Sequence, residues 1–260
     1  MKFSIFGSKG FIGSNMVNFF KNQKIEFNMP EPNNEKIFER SLGHVIYSIG
    51  VTGDFRKRPF DAVESHVCLL HKILKKCEFD SFLYLSSTRV YSNSLSTNED
   101  TPLLVNPNKF EEIYNISKIM GESLCLASVK PNVRIVRLSN VVGNHNNTDD
   151  FLSSLIHDAV INKKIILHTT SESEKDYVHI DDVVKVLPNI SSQGKQKIYN
   201  IASGKNTKVK EITDELRRRT KCKIVFESNA KKKSFPKIDI KRIRTEFDFN
   251  PIDFLTKLDI

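Results

Sequence analysis

The sequence has little glycine and proline and no long apolar run. Ten glycines and nine prolines in 260 residues are fewer than average usage, which excludes collagen-like and low-complexity chains. No stretch approaches the roughly 18 consecutive apolar residues that a membrane helix needs. A chain of this length, 39% hydrophobic, buries about three quarters of its unfolded surface. We therefore expect a globular protein with one large domain, or with one domain and a small lobe.

Cysteine is also scarce, and its placement is informative. The four cysteines are spread along the chain without a Cys-x-x-Cys pair or a nearby histidine cluster: Cys68, Cys77, Cys125 and Cys222. A disulfide framework or a metal site is therefore not expected. The apolar run after Lys2 is interrupted from Gly7 onward, before a continuous signal-peptide core forms. These observations predict a cytoplasmic protein without a membrane partner.

Positive charge is concentrated at the carboxyl-terminal end. The net charge is +9, and residues 195–260 hold 18 Lys+Arg against 9 Asp+Glu, whereas residues 1–194 hold 22 of each. Such an excess can attract a polyanion such as a nucleotide diphosphate or a nucleic acid. A lysine-rich solvated surface gives the same composition, so both interpretations stay open.

Short apolar runs alternate with segments of helical periodicity. The predicted strands include Lys2–Phe6, Val45–Ile49, Phe82–Leu85 and Val133–Leu138, and amphipathic helices lie between them. This alternation predicts an α/β fold, with a parallel sheet covered by helices on both faces. The polar segment Ser92–Phe110 interrupts the pattern as a long loop, and loops of that length are usually functional.

A glycine-rich turn follows the first strand directly. It has the sequence Gly7-Ser8-Lys9-Gly10-Phe11-Ile12-Gly13 and opens the first predicted helix. Glycines let the backbone turn sharply and approach a pyrophosphate, whose charge is held by amide N–H groups at the positive end of a helix. The motif alone is a weak signal, but its position between a strand and a helix favours a dinucleotide-binding turn over a merely structural one.

Tyr114 and Lys118 lie four residues apart in a predicted helix, so both side chains project from one face. An ammonium beside a phenol favours the phenolate and lowers the tyrosine pKa, which suits proton transfer near neutral pH. Tyr-x-x-x-Lys pairs arise readily by chance in a lysine-rich chain. An ordinary surface pair therefore stays open on spacing alone.

A run of hydroxyl side chains follows the strand Phe82–Leu85. Its sequence is Ser86-Ser87-Thr88-Arg89-Val90-Tyr91, and it falls at a carboxyl end of the predicted sheet, where α/β proteins bind ligands. A hydroxyl at this edge can donate a hydrogen bond to a reacting substrate oxygen. Without the other motifs, an ordinary loop explains the run equally well.

Together these three elements resemble the extended short-chain dehydrogenase/reductase family of nucleotide-sugar epimerases, reductases and dehydratases. Two later segments match further signatures of that family in the same order: Arg137–Gly143 and Lys175–Val183. The resemblance covers nearly the whole chain. It implies a Rossmann-type doubly wound parallel sheet that binds NAD or NADP, formed by residues 1–165 with returning segments near 175–202. A smaller substrate lobe is expected mainly from about residues 166–260.

The resemblance also implies roles for single residues. Tyr114 would be the acid/base, Lys118 would hold the nicotinamide ribose, and Ser87 would be the catalytic hydroxyl. The turn and the end of the second strand would bind the cofactor through Gly7, Lys9, Gly10, Phe11, Ile12, Gly13 and Asn28. Substrate contacts are expected from Arg89, Asn140 and Lys175, the last of these where the family often has an arginine near the substrate phosphates.

Three positions depart from the family pattern. Family dehydratases usually follow the catalytic hydroxyl with an acidic pair, whereas this chain has Thr88 and Arg89 there, so dehydration is disfavoured. The second strand ends near Asn28 instead of the Asp or Glu that binds the ribose hydroxyls of NAD. Lys9 can pair with a 2′-phosphate, which favours NADP, although a plain surface lysine is an equal alternative.

Two further departures concern local structure. Only 15 residues separate Asn28 from His44, too few for the helix and strand usually found there, so we expect a reduced adenine side or a missing edge strand. His66 stands where the family often has Asn, and we interpret it as structural, with a role in the site as the alternative. Arg56 and Arg58 lie in a loop that faces either a nucleotide phosphate or solvent.

The sequence therefore predicts an NAD(P)-dependent enzyme acting on a nucleoside-diphosphate sugar, as an epimerase or a keto-sugar reductase. Both reactions use the same three side chains, so the sequence does not separate them. The alternative is a catalytically silent relative that senses NADP or binds nucleic acid through its basic carboxyl-terminal face. A homodimer is a weaker expectation.

Overall fold

The computed structural model describes residues 1–32, 34–143 and 151–258. The strands in chain order are β1 (Lys2–Phe6), β2 (Glu26–Asn28), β3 (His44–Tyr47), β4 (Ser81–Ser87), β5 (Val133–Leu138), β6 (Asn140–Val142), β7 (Lys164–Thr169), β8 (Glu174–His179), β9 (Ile198–Ile201), β10 (Asn206–Lys208) and β11 (Lys223–Lys231). The helices are α1 (Phe11–Asn22), α2 (Pro59–Val63), α3 (Leu69–Lys76), α4 (Ile113–Leu126), α5 (Phe151–His157), α6 (Ile180–Gln193), α7 (Val209–Thr220) and α8 (Lys241–Phe247). A π-helical turn, Glu64–Cys68, joins α2 to α3.

The main sheet has six parallel strands in the order β2-β1-β3-β4-β5-β9. Its central strands are rich in buried apolar residues because helices cover both faces. On one face, Met16 of α1 and Leu187 of α6 pack on the sheet. On the other, Leu70 of α3 and Cys125 of α4 pack against Tyr84. The doubly wound α/β class predicted from the alternation is confirmed.

β2 is an edge strand of this sheet. The described residues between β2 and β3 form one 3-10 turn, Glu35–Phe38. Ile37 from this turn and the following Leu42 are buried against the same face as Leu70. The short spacing between Asn28 and His44 therefore leaves room for a buried connection and not for a further helix and strand.

A smaller cluster lies outside the main sheet. β10, β8 and β6 form one sheet, and β11 pairs with β7 in another. Helices α5 and α7 pack with these strands through Leu155, Ile212 and Leu216. The domain boundary expected near residue 165 stays a prediction, because Val142 packs in this smaller cluster whereas Ile243 of α8 packs in the main core.

The long segment 92–110 is tied to the carboxyl-terminal part of the chain. The Thr97 hydroxyl donates to the Lys237 carbonyl (2.8 Å) and accepts from the Asp239 amide (2.9 Å). Asn200 on β9 donates from its side chain to the Thr97 carbonyl (2.8 Å). These contacts hold the loop over the carboxyl-terminal edge of the main sheet. In the part of the chain that the structure describes, no helix has the length and apolar character needed to cross a membrane.

Candidate active site

The glycine turn connects β1 to α1 at the carboxyl-terminal edge of the sheet. Gly7 has φ +83°, a conformation that favours glycine. The Gly10 amide donates to the Gly7 carbonyl (3.0 Å), and Gly10 is the N-cap of α1. The N-cap glycine makes no side-chain hydrogen bond to the start of the helix, and a helix N-terminus of this kind favours an anion. The turn therefore fits the pyrophosphate of a dinucleotide.

Gly13→Ala tests this fit. A β-carbon on Gly13 would lie 2.1 Å from the Gly7 carbonyl oxygen, so the turn must open. We expect the NADH and NADPH affinities, measured by fluorescence titration, to fall by about tenfold or more. Gly10→Ala is the comparison within the turn: its β-carbon would meet the same oxygen at 3.4 Å, an ordinary contact, so the turn stays closed and we expect a smaller loss of affinity. Wild-type affinity in Gly13→Ala would contradict a binding role for the turn.

The remaining predicted cofactor residues surround this turn. Phe11 and Ile12 are half-buried against the main core, and Asn28 pairs with Ser4 at the end of β2. The Lys9 ammonium lies 3.4 Å from Glu31 Oε1, and both side chains are largely exposed. Sequence reasoning missed Glu31, which follows β2 and supplies a carboxylate near the turn. Its charge offsets the attraction that Lys9 offers to a 2′-phosphate.

Ser87, Tyr114 and Lys118 meet beside the end of β4. Ser87 is the last residue of that strand, and Tyr114 and Lys118 lie on one face of α4. The Ser87 hydroxyl lies close enough to the Tyr114 phenol to lower the pKa of the phenol. The Lys118 ammonium donates to the Leu85 carbonyl (2.9 Å), two residues before Ser87. The structure thus brings the three predicted catalytic side chains together, while their roles stay a prediction.

Burial governs the ionisation of this group. It raises the pKa of Tyr114 above its usual value, and the nearby Ser87 hydroxyl and the charge of Arg89 act in the opposite direction. Burial also lowers the pKa of Lys118 to about 7, opposed by the charge of Glu122. The expectation that the lysine lowers the tyrosine pKa is wrong for this state, because desolvation of the phenolate outweighs the nearby cations.

Phe55 covers the tyrosine. Its ring centroid lies 5.0 Å from that of Tyr114, and it packs in a small cluster with Val51. The Arg89 guanidinium lies 4.9 Å from the Phe55 ring and 5.5 Å from the Tyr114 ring, and that of Arg56 lies 4.6 Å from Phe55. Burial and then the charge of Arg56 lower the pKa of Arg89. Arg89 therefore stands beside the phenol, and Arg56 contacts the Phe55 ring that covers it.

Lys175 and Asn140 lie on neighbouring strands of the smaller lobe. Burial, followed by repulsion from Lys233 and Arg89, lowers the pKa of Lys175. Lys175 thus shares the positive electrostatic environment of Arg89. The Asn140 side-chain amide donates to the Asp176 carbonyl (2.7 Å) and joins β6 to β8. The structure places both predicted substrate residues near one another, with the nitrogen of Asn140 already engaged by backbone.

A buried ion pair lies beneath the end of β4. Arg137 of β5 binds Glu122 of α4 at 2.6 Å and 3.0 Å, and both side chains are almost fully buried. Ser86 donates to the same carboxylate (2.5 Å), and Arg137 also donates to Tyr91 (2.7 Å). Sequence reasoning missed Glu122, although its position four residues after Lys118 puts it on the same helix face.

The chain matches a model of a known family over most of its length. The family is described as the NAD dependent epimerase/dehydratase family, and the match covers residues 4–202. A dTDP-D-glucose 4,6-dehydratase of Dictyostelium discoideum is 26% identical over 188 residues. The alignment covers 65% of this chain and 43% of the relative, so this chain spans less than half of that protein.

Solved structures share the fold across nearly the whole chain. UDP-glucuronic acid 4-epimerase from Bacillus cereus, in complex with UDP-glucuronic acid and NAD, has a TM-score of 0.78 and 18% identity, covering 99% of this chain and 96% of its own. RMD from Pseudomonas aeruginosa, complexed with NADPH, has a TM-score of 0.79 and 16% identity, covering 98% and 95%. At these identities the likeness establishes the fold alone.

Proposed function

The chain belongs to the NAD-dependent epimerase/dehydratase family, and on that premise we propose that it is a keto-sugar reductase or an epimerase acting on a nucleoside-diphosphate sugar. The observation that carries the proposal is that Ser87, Tyr114 and Lys118 meet at the end of β4, with the Lys118 ammonium bound to the Leu85 carbonyl. A phenol at the end of a central strand, beside a glycine turn that fits a pyrophosphate, suits an alcohol–ketone interconversion.

The dinucleotide would be held at two points. The turn of Gly7, Gly10 and Gly13 would receive its pyrophosphate, and Lys118 would donate to the nicotinamide ribose. When bound, the cofactor supplies the carbon that accepts or gives hydride. Related structures carry NAD or NADPH. We keep the preference for NADP as a prediction resting on Lys9 and Asn28, with Glu31 opposing it.

Tyr114 moves the proton. When a sugar hydroxyl is oxidised, the phenolate takes the proton of that hydroxyl, and when a ketone is reduced, the phenol returns a proton to its oxygen. Ser87 orients both the phenol and the sugar oxygen. The raised pKa of Tyr114 keeps the phenol protonated near neutral pH, which favours the reducing direction in the free protein.

Dehydration needs an acid and a base next to the catalytic hydroxyl. Here Thr88 is buried with a hydroxyl side chain, and Arg89 carries a guanidinium that does not release its proton at physiological pH. Neither group removes a proton from carbon or protonates a leaving hydroxide. Relatives named dehydratases exist, so loss of water is the main competing reaction that an experiment must exclude.

The substrate is expected to be anionic. Burial, and then the charges of Lys233 and Arg89, lower the pKa of Lys175, and a bound anion would offset the repulsion among these cations. The diphosphate of a nucleotide sugar has this charge, and the second substrate residue, Asn140, lies next to Lys175 in the smaller lobe. The cytoplasmic location and the homodimer stay predictions.

A substrate panel tests the proposal. The protein is incubated with UDP-, GDP- and dTDP-hexoses, each with NAD⁺ or NADP⁺, and with a 4-keto sugar nucleotide and NADH or NADPH, and products are identified by NMR. Consumption of reduced cofactor with formation of a hydroxyl supports the reductase, and an epimer without net cofactor consumption supports the epimerase. A 4-keto-6-deoxy product overturns the proposal in favour of dehydration. Absence of turnover with the whole panel favours the silent relative.

A further inference from the structure

His66 lies under the catalytic tyrosine. It sits in the π-helical turn between α2 and α3, and its side chain is fully buried. The His66 and Tyr114 ring centroids are 5.5 Å apart with the rings nearly perpendicular. The sequence predicts a structural role for His66. Buried polar atoms are normally hydrogen-bonded, so we ask which hydrogen-bond partner each nitrogen of this imidazole has.

The hydrogen bonds of Ser117 fix the tautomer of His66. The Ser117 hydroxyl donates its single hydrogen to the Tyr114 carbonyl (2.9 Å), and its oxygen lies 2.9 Å from His66 Nδ1. With that hydrogen on the carbonyl, the Ser117 oxygen accepts from Nδ1, and we assign His66 to this tautomer. Burial, and then the charge of Lys118, lower the pKa of His66 to about 2, so the ring is neutral. His66 Nε2 is consequently a bare lone-pair acceptor.

Nε2 is left without a hydrogen-bond partner among the residues that the structure describes. It faces Gly50, at the end of the loop that follows β3. A β-carbon on Gly50 would stand 2.9 Å from His66 Nε2 and 3.4 Å from Lys118 Nζ, so both nitrogens border the same small space. Gly50 itself is exposed, which opens this space toward the cleft. The Lys118 ammonium has three hydrogens, and the Leu85 carbonyl takes one of them.

We propose that His66 Nε2 accepts a hydrogen bond from the Lys118 ammonium, directly or through one water over Gly50, and so keeps the proton on Lys118 and orients it for the ribose. His66 is then a positioning residue, acting through Lys118. This inference rests on the proposed function only for the use of Lys118, because the contact itself needs neither substrate nor turnover. A buried acceptor and a buried donor that border one space gain most by pairing.

His66 differs from the other groups around Lys118 in what it offers the ammonium. Glu122 lies one turn further along α4 and favours the charged lysine, but its oxygens already bind Arg137 and Ser86. The Tyr84 ring of β4 lies 5.1 Å from the ammonium, and Tyr114 lies on the same helix. Of these neighbours, His66 alone presents an unused nitrogen acceptor. Burial lowers the pKa of Lys118, and the His66 lone pair opposes that effect.

Two variants separate the acceptor from the packing of the ring. His66→Asn places an amide where Nδ1 lies, which preserves the contact to Ser117 and removes the Nε2 acceptor. His66→Gln places its amide where Nε2 lies. The Lys118 titration is followed by NMR of protein labelled with ¹³C at the lysine ε-carbon, and Lys118→Arg identifies the signal by its loss. We expect the Lys118 midpoint to fall by about one pH unit in His66→Asn and to stay near wild type in His66→Gln.

Equal shifts in both variants, or none in His66→Asn, would overturn the proposal. A second measurement on the unmodified protein covers the case in which a variant does not fold. ¹⁵N NMR of histidine-labelled protein reports which ring nitrogen carries hydrogen, and His66 protonated on Nε2, or doubly protonated near pH 6, would also overturn it. Because these readouts use no substrate, a chain that proves inactive on every sugar nucleotide can still show the Lys118 shift.

Discussion

Tyr114→Phe is expected to lower turnover about 10²–10⁴-fold and to leave the fold and the dinucleotide affinity unchanged. The variant keeps the ring that packs on Phe55 and loses only the hydroxyl that lies near Ser87. Without that hydroxyl, the site lacks the group proposed to exchange a proton with the sugar oxygen. Turnover is measured with the substrate found in the panel, and affinity by NADH or NADPH fluorescence.

Tyr84→Phe is the matched control. Tyr84 is also fully buried, and its hydroxyl makes only a long contact (3.4 Å) to the His66 carbonyl. We expect kcat within about threefold of wild type, because that hydroxyl does not face the cleft. Equal turnover in Tyr114→Phe and wild type would mean that the phenol takes no part in the reaction. It would also contradict the alcohol–ketone interconversion proposed for the site.

Glu122→Ala is expected to reduce the free energy of unfolding by about 3–5 kcal/mol. The variant leaves Arg137 buried, 3% exposed, without the carboxylate that it binds through two nitrogens. Pairing with Glu122 raises the pKa of Arg137 above its usual value despite burial, so the guanidinium stays charged and pays the full cost of desolvation. Urea unfolding followed by circular dichroism measures the loss.

Two control variants test whether the buried charge of Arg137 causes this loss of stability. Glu31→Ala removes the partner of Lys9 in an exposed pair and is expected to change stability by about 1 kcal/mol or less. The double variant Glu122→Leu with Arg137→Leu removes both charges and is expected to recover most of the loss, because no isolated ion remains. A cost in Glu122→Ala similar to that in Glu31→Ala would mean that water reaches Arg137.

Local patterns predicted the parts of the site that lie close together in sequence. The strand, glycine turn and helix from Lys2 to Asn22 follow from apolar periodicity and three glycines. The four-residue spacing of Tyr114 and Lys118 places them on one helix face. The short gap before His44 implied a reduced sheet edge. Each of these features depends on contacts between residues that are close in sequence, and the pattern of neighbouring residues predicts such contacts.

Contacts between distant segments were not predictable in the same way. Phe55 packs on Tyr114 across almost 60 positions, and Glu122 meets Arg137 only because α4 lies against β5. The sequence pattern predicts a helix over Asp181–Pro188, whereas α6 runs from Ile180 to Gln193. A proline usually ends a helix, but burial of Ile190 in the main core favours continuation. The raised pKa of Tyr114 likewise depends on burial by segments far away in sequence.

The short β2 strand also bears on how molecules of this protein meet in solution. An open sheet edge exposes backbone donors and acceptors that a strand from a second molecule can pair with, and such intermolecular pairing leads to aggregation. β2 offers only three residues, and its exposed Glu26 lies beside Lys2. An edge strand this short and charged offers few hydrogen bonds to a strand of a second molecule. The reduced sheet therefore does not expose an edge that favours intermolecular pairing.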